Sequence, residues 1–278
     1  MSVRPLLFLP IPWLTGLLPV VIACLMTLTG CGLLTKPPTV TSVHLSLGNP
    51  SNAAGDPDNY LLVKPQYALS YNNSTRIPNW VSWQLNQSWL GKVPRRNDFR
   101  PDESLPPGWY QVVPSDYNNS GFDRGHMTPS ADRSNNQDNN SATFLMTNIL
   151  PQAPDNNQGP WAELEVYCRE LARQGQELYI VAGGYGRKRA IARGKIVAPA
   201  RTWKVIVVLD QPGQGVADIT SETRVIAVDM PNNQGIKTAD WRSFRVSVDQ
   251  VEAKTGYDLL SNLPESVQQV VEGRVDAD

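Results

Sequence analysis

The stretch GPWAELEVYCRELARQG, residues 159–175, constrains the fold more than any other. Pro160 suits a first helical turn, where its missing N–H is no loss, and Gly175 suits the stop. Trp161, Leu164, Cys168 and Leu171 recur at spacings of three and four, which gives a helix with one apolar face. Short β-like runs surround it. SVHLSL, NYLLV, QYALSYNN and NWVSWQLN come early, ATFLMTNIL (142–150) reads as a buried strand, and ELYIVAGG, TWKVIVVLD and TRVIAVDM follow the helix. VSVDQVEAKTG reads as a late helix ending at Gly256. Strands and helices mix without regular β-α-β alternation and without repeats. The prediction is α+β: a mixed or antiparallel central sheet with flanking helices, in one domain.

The chain has 278 residues, 41% hydrophobic and 18% charged, which fits a globular protein with a real core rather than a disordered one. The net charge of −1 excludes a global field that would draw in a polyanion. A nucleic-acid partner then needs locally clustered cations. One cluster exists: residues 186–204 carry Arg187, Lys188, Arg189, Arg193, Lys195, Arg201 and Lys204 with no acid among them. A solvated hairpin and a phosphate-backbone contact account for it equally well. Backbone contact would give affinity without sequence reading, and steep salt dependence.

Arg4 precedes an apolar stretch from Pro5 to Leu28, broken by Pro10, Pro12 and Pro19 and followed by Thr29, Gly30 and Cys31. This resembles a bacterial lipoprotein signal: residues 1–31 as the signal peptide with a small-residue box before a lipidated Cys31, 32–41 as a tether, and 42–278 as the folded domain. A transmembrane anchor and an ordinary secretory signal are the alternatives, and all three export the domain. The expected location is the cell envelope, as a membrane-anchored lipoprotein, or otherwise outside the cell. Processing would remove Cys24 and lipidate Cys31, leaving Cys168 with no disulfide partner. Its place on the apolar helix face predicts a buried structural thiol.

Chemistry enters with GFDRGHMTPSADRS, residues 121–134, which holds one of the chain's 2 histidines. A lone histidine in a polar loop is ordinarily a surface residue. Here an acid, a base and a glycine precede His126. Downstream, NNQGPWAELE offers an amide and carboxylates at a helix start; upstream, PRRNDFRPD offers paired arginines. Amide oxygen, carboxylate and imidazole suit a hard cation beside a general base, and arginines suit phosphate. His44 lies in a predicted first strand and reads as structural.

FDRGHMTPSADR, TFLMTNILPQ and NQGPWAELE, in this order and at these spacings, resemble the DNA/RNA non-specific endonucleases with a ββα-metal (His-Me finger) active site. The resemblance runs from about residue 43 to 264. It implies a sequence-tolerant nuclease leaving 5′-phosphates, with Mg²⁺ as cofactor and Mn²⁺ as a substitute. DNA and RNA are the implied partners; a cell exporting such an enzyme has a use for a protein inhibitor. By position, His126 matches the general base and Asn157 the metal-binding asparagine, with Asn156 as rival. Glu165 matches a carboxylate holding the metal's water, with Glu163 as rival. Arg124 matches a phosphate contact, and Asn148 an asparagine near the site. Arg95 matches a transition-state arginine, although one gap would exchange it with Arg96, which otherwise joins Arg187, Lys188, Arg189 and Arg193 in binding substrate. Asp123 orients the loop in this reading, and Asp132 and Arg133 form a loop ion pair. A non-catalytic nucleic-acid-binding lipoprotein and a small-nucleotide phosphodiesterase are the rival functions. Oligomeric state is left open.

Overall fold

In the computed structural model, residues 42–278 are described. The expected signal peptide, the Cys31 lipidation site and the tether lie outside them. In chain order the strands are β1 (Gly55–Asp56), β2 (Asn59–Val63), β3 (Ala68–Asn72), β4 (Ile77–Leu85), β5 (Asp123–His126), β6 (Ile149–Gln152), β7 (Glu177–Tyr185), β8 (Arg189–Ile191), β9 (Ile196–Ala198), β10 (Arg201–Leu209), β11 (Arg224–Pro231) and β12 (Arg245–Val246). Eight of them form one sheet in the order β1-β2-β3-β4-β7-β10-β11-β12, and every pairing in it is antiparallel. Two small two-stranded antiparallel sheets, β5–β6 and β8–β9, stand apart from it. The helices are α1 (Gln137–Ala142), α2 (Pro154–Asn157), α3 (Pro160–Arg173), α4 (Val248–Thr255) and α5 (Glu265–Val271). The α+β expectation holds, with the sheet wholly antiparallel.

Both faces of the sheet are covered, and the strand period of two sorts side chains between them. On β7, Leu178, Ile180 and Ala182 join one core while Tyr179 and Val181 join the other. On β10, Ile206 and Val208 share the first face; Trp203, Val205, Val207 and Leu209 share the second. α3 covers the first face. Trp161, Leu164, Cys168 and Leu171 are buried there, as the sequence period required. Cys168 is 1% exposed, and burial pushes its thiol up to about 12, so it stays an uncharged core residue. α4 and the C-terminal segment cover the second face through Val248, Val251, Leu259, Leu260 and Val271.

One predicted strand is absent and another is shortened to its last residues. SVHLSL instead starts with a 3-10 turn, Val43–Leu45. The Ser42 hydroxyl accepts from the His44 amide, and the His44 ring is seated between the Pro65 carbonyl and the Gln84 amide. In ATFLMTNIL, α1 ends at Ala142, a 3-10 turn spans Met146–Asn148, and extended structure begins only at Ile149. The run is buried, but the Asn148 side chain supplies the backbone partners that a sheet neighbour would otherwise provide. The short helices α1 and α5 carry no clear apolar period and were not foreseen.

Candidate active site

The β5–β6 strand pair and the α2–α3 helices that follow it build the site on the α3 face of the sheet. Register pairs Gly125 with Leu150 and His126 with Ile149. The glycine in Asp-Arg-Gly-His has a steric cause: a Cβ there would lie 2.2 Å from Gln152 Oε1 and 2.6 Å from its Cβ. The expected polar loop is therefore a strand, and His126 at its end is buried, 7% exposed.

Two aromatic rings contact the imidazole. Phe144 meets it edge-on at 4.8 Å between centroids and Phe99 lies at 5.2 Å. Each ring also carries an arginine: Arg95 sits over Phe144 at 4.8 Å and Arg124 over Phe99 at 4.3 Å. Strand alternation puts Arg124 and His126 on the same side of β5. Burial first, then the charges of Arg95 and Arg124, push the imidazole down to about 3. The ring is neutral at pH 7. Its Nε2 is buried and without a hydrogen-bond partner among the described residues.

Arg95 and Arg96 part company here. Arg95 Nη1 donates to Ser130 Oγ at 2.7 Å, whereas Arg96 Nη1 donates to Gln137 Oε1 of α1 at 3.3 Å. The two phenylalanines escaped the sequence reading, because nothing in NDFRPD or ATFLM marks an aromatic as support for a distant imidazole. Asn148 is fully buried and spends its amide on the backbone: it donates to the carbonyls of Thr128 and Thr143, both at 2.9 Å, and accepts from the Thr128 amide at 3.0 Å. It pins the chain just after His126.

Asn157 ends α2, and its Nδ2 donates to Asp123 Oδ2 at 2.8 Å; Gln158 donates to the same oxygen. An ionised carboxylate only accepts, so this contact selects the NH₂ end of the amide and leaves Oδ1 as its free end. Its rival Asn156 points into the core, donating to Thr202 Oγ1 at 2.8 Å. Between α2 and α3 the chain turns at Gly159, where a Cβ would lie 2.4 Å from the Lys237 carbonyl oxygen. That close approach keeps position 159 a glycine, and α3 follows at once, with Glu163 and Glu165 two positions apart and so on different faces of it.

Glu165 has buried charged neighbours. Burial pushes it up to about 7, against the pull of Lys204, Arg169 and Arg95. Arg169 Nη1 lies 4.0 Å from Glu165 and 2.9 Å from Asp132. The rival Glu163 is exposed and lines a separate cleft with Tyr167 and Trp241. Asp132 pairs with Arg169 and accepts from Trp83 Nε1 at 3.0 Å, which corrects the expected Asp132–Arg133 pair. Arg133 is fully buried and donates to the Gln66 and Gln84 carbonyls instead, locking the turn after His126 onto the sheet.

The basic run divides. Lys204 lies inside β10, 1% exposed, with Nζ 4.1 Å above Trp161, and Arg201 is paired with Asp229 at 2.7 Å. Neither belongs to a solvated hairpin: position 204 shares a parity with Ile206 and Val208 and so faces α3. Arg187, Lys188, Arg189 and Arg193 are exposed on or beside the β8–β9 hairpin. Arg189 donates to the Ser120 carbonyl and lies over Phe122, while Lys188 donates to the Asn232 carbonyl at 2.6 Å. The Arg189 contact sets the hairpin beside the start of β5. There, Arg189, Arg193 and Lys195 line a cleft of about 540 Å³ opposite the 115–120 turn.

A neutral buried imidazole, two arginines and a free amide oxygen suit attack on a phosphodiester, and the comparison with known proteins agrees. Residues 47–266 match the family described as DNA/RNA non-specific endonuclease. The chain belongs to that family. It is 57% identical to a nuclease of Nostoc sp. over 238 residues, which is 84% of this chain and 86% of the relative. It is 29% identical to human mitochondrial nuclease EXOG over 71% of this chain, and spans only 56% of that protein's length. A solved EndoG/EndoGI complex contains a chain with TM-score 0.68 and 25% identity, matched over 81% of this chain and 94% of that one. This protein is thus an enzyme, a DNA/RNA non-specific endonuclease, and the reading as a non-catalytic binder is set aside.

Proposed function

We propose that the endonuclease cleaves by in-line attack of a water on phosphorus, with His126 as general base, leaving 5′-phosphate and 3′-hydroxyl ends. The observation that carries this is the imidazole itself: neutral, with an unpartnered nitrogen, and flanked by two ring-supported arginines. A base near 3 is weak on its own, since general bases work best close to the operating pH. The two arginines contribute to that depression, and a bound phosphate opposes their charge. Substrate binding therefore makes His126 more basic at the moment a proton must be taken. Arg124, exposed and without a hydrogen bond to the described residues, contacts the phosphate; Arg95 stabilises the charge that builds at the five-coordinate phosphorus. Asn148 positions the His126 turn, and Asp123 positions Asn157.

The donor set fits one hard divalent cation that keeps most of its water: a free amide oxygen on Asn157, with the Glu165 carboxylate as a partner for bound water. Mg²⁺, or Mn²⁺ in its place, would supply electrophilic stabilisation of the phosphate and the leaving oxygen. Arg96 and the exposed cations Arg187, Lys188, Arg189 and Arg193 hold the DNA or RNA backbone. Lipid on Cys31 would tether the enzyme to the cell envelope. A protein inhibitor is a further expected partner, supported by the likeness to the chain in the EndoG/EndoGI complex.

The test is cleavage of supercoiled plasmid and of RNA by wild type and Asn157→Ala, with Mg²⁺ titrated or removed by EDTA, and the product ends mapped. Wild type should cut both substrates only with the cation, and the variant should lose most activity and require far more cation for the rest. Full cleavage in EDTA would overturn the mechanism.

A further inference from the structure

On the opposite face of the sheet, where α4 meets the end of α5, a second group of acids has no role in the chemistry above. Asp249 lies in the first turn of α4, Glu252 one turn later, and Glu272 caps the end of α5. One carboxylate oxygen from each lies within 4.8 Å of the others. The ion pairs of the described residues involve none of the three. Asp249 gains from the helix dipole, and Glu252 Oε1 accepts from the Leu259 amide at 2.7 Å. Neither explanation extends to Glu272. It is 7% exposed, and its Oε1 is sealed from solvent with no donor to satisfy it. A buried carboxylate without a donor, beside two others, is a costly arrangement unless a cation completes it.

We propose that Asp249, Glu252 and Glu272 form a binding site for a calcium ion, separate from the catalytic centre. The donors are all hard oxygens, which disfavours zinc or copper. Three carboxylates converging from two helices suit the larger, irregular shell of Ca²⁺; Mg²⁺ usually takes one or two and keeps its waters. Asp249 is exposed and Glu252 half-buried, so an ion can enter and retain water on that side. The site would act as a staple. The Asp249 amide already donates to the Glu272 carbonyl at 3.1 Å, and an ion between the side chains would clamp α5 onto α4. The final residues follow, with Asp276 held by Arg224 and Arg245.

Thermal unfolding and calorimetric titration of the full chain with CaCl₂ test this, using wild type, Glu272→Gln and Asn157→Ala. At calcium a hundredfold above its Kd, the wild-type Tm should rise by roughly 5–10 °C. Glu272→Gln should lose the rise, keep its nuclease activity in Mg²⁺, and melt in EDTA no lower than wild type, because one repelling charge is gone. Asn157→Ala should keep the rise. No calcium response in wild type, or an undiminished response in Glu272→Gln, overturns the proposal. A response lost in Asn157→Ala and kept in Glu272→Gln overturns it by assigning the ion to the catalytic centre.

Discussion

The two histidines sit in different regions and share a first description: each is buried, and each is held neutral, His44 at about 4 and His126 at about 3, with burial the leading cause. They differ in what surrounds the ring. His44 bonds the Pro65 carbonyl through Nε2 at 2.9 Å and accepts from the Gln84 amide through Nδ1 at 3.2 Å, so both nitrogens are used. His126 has an unpartnered Nε2 and two phenylalanines that each present an arginine. A lowered pKa by itself therefore says only that a ring is buried. A ring nitrogen left without a partner, next to charges that fit a phosphate, is what supports His126 and not His44 as the proposed base.

Exchanging each ring for alanine tests this contrast most severely. His126→Ala should lower kcat by about 10²–10⁴-fold, the usual worth of a general base, while unfolding close to wild type in urea. His44→Ala should do the reverse: about 1–3 kcal/mol less stable, with the kcat of the folded fraction unchanged. An active His126→Ala enzyme would erase the distinction.

The arginines sharpen it next. Arg95→Ala should lose about 10²–10³-fold in kcat, whereas Arg96→Ala should change mainly KM, measured under single-turnover and steady-state conditions. Equal kcat losses would mean that position over Phe144 does not matter.

Acid should reveal what the two rings have in common. Each has a folded pKa below its unfolded value of about 6.5, so its contribution is complete above that pH. For His44 it is lost as pH falls through about 4, an effect of roughly 3 kcal/mol in all. Urea unfolding at pH 7 and pH 4.5 should show this loss in wild type and less of it in either alanine variant. A slope unchanged in His44→Ala would show that its burial is not what holds the ring neutral.

Much of the fold was legible in the chain. α3, α4 and the six longest strands of the main sheet follow from period, Pro and Gly, because these elements bury a regular stripe. Two predicted strands failed, wholly or in part, at short segments held by particular side chains: Ser42 and the His44 ring in one, Asn148 in the other. Local propensity carries no signal for such partners.

For the proposed site, sequence alone supplied the candidates, since a chain with 2 histidines and one Asp-Arg-Gly-His leaves little choice of base. Tertiary structure decided what surrounds each candidate. It separated Asn157 from Asn156 through Asp123, Glu165 from Glu163 by their different faces on α3, and Arg95 from Arg96 by Ser130 and Phe144. It also withdrew Lys204 from the basic surface and placed it over Trp161. The reason is physical: neighbours in sequence differ little in chemistry, and only packing against distant residues determines which of two adjacent side chains faces the substrate and which faces the core.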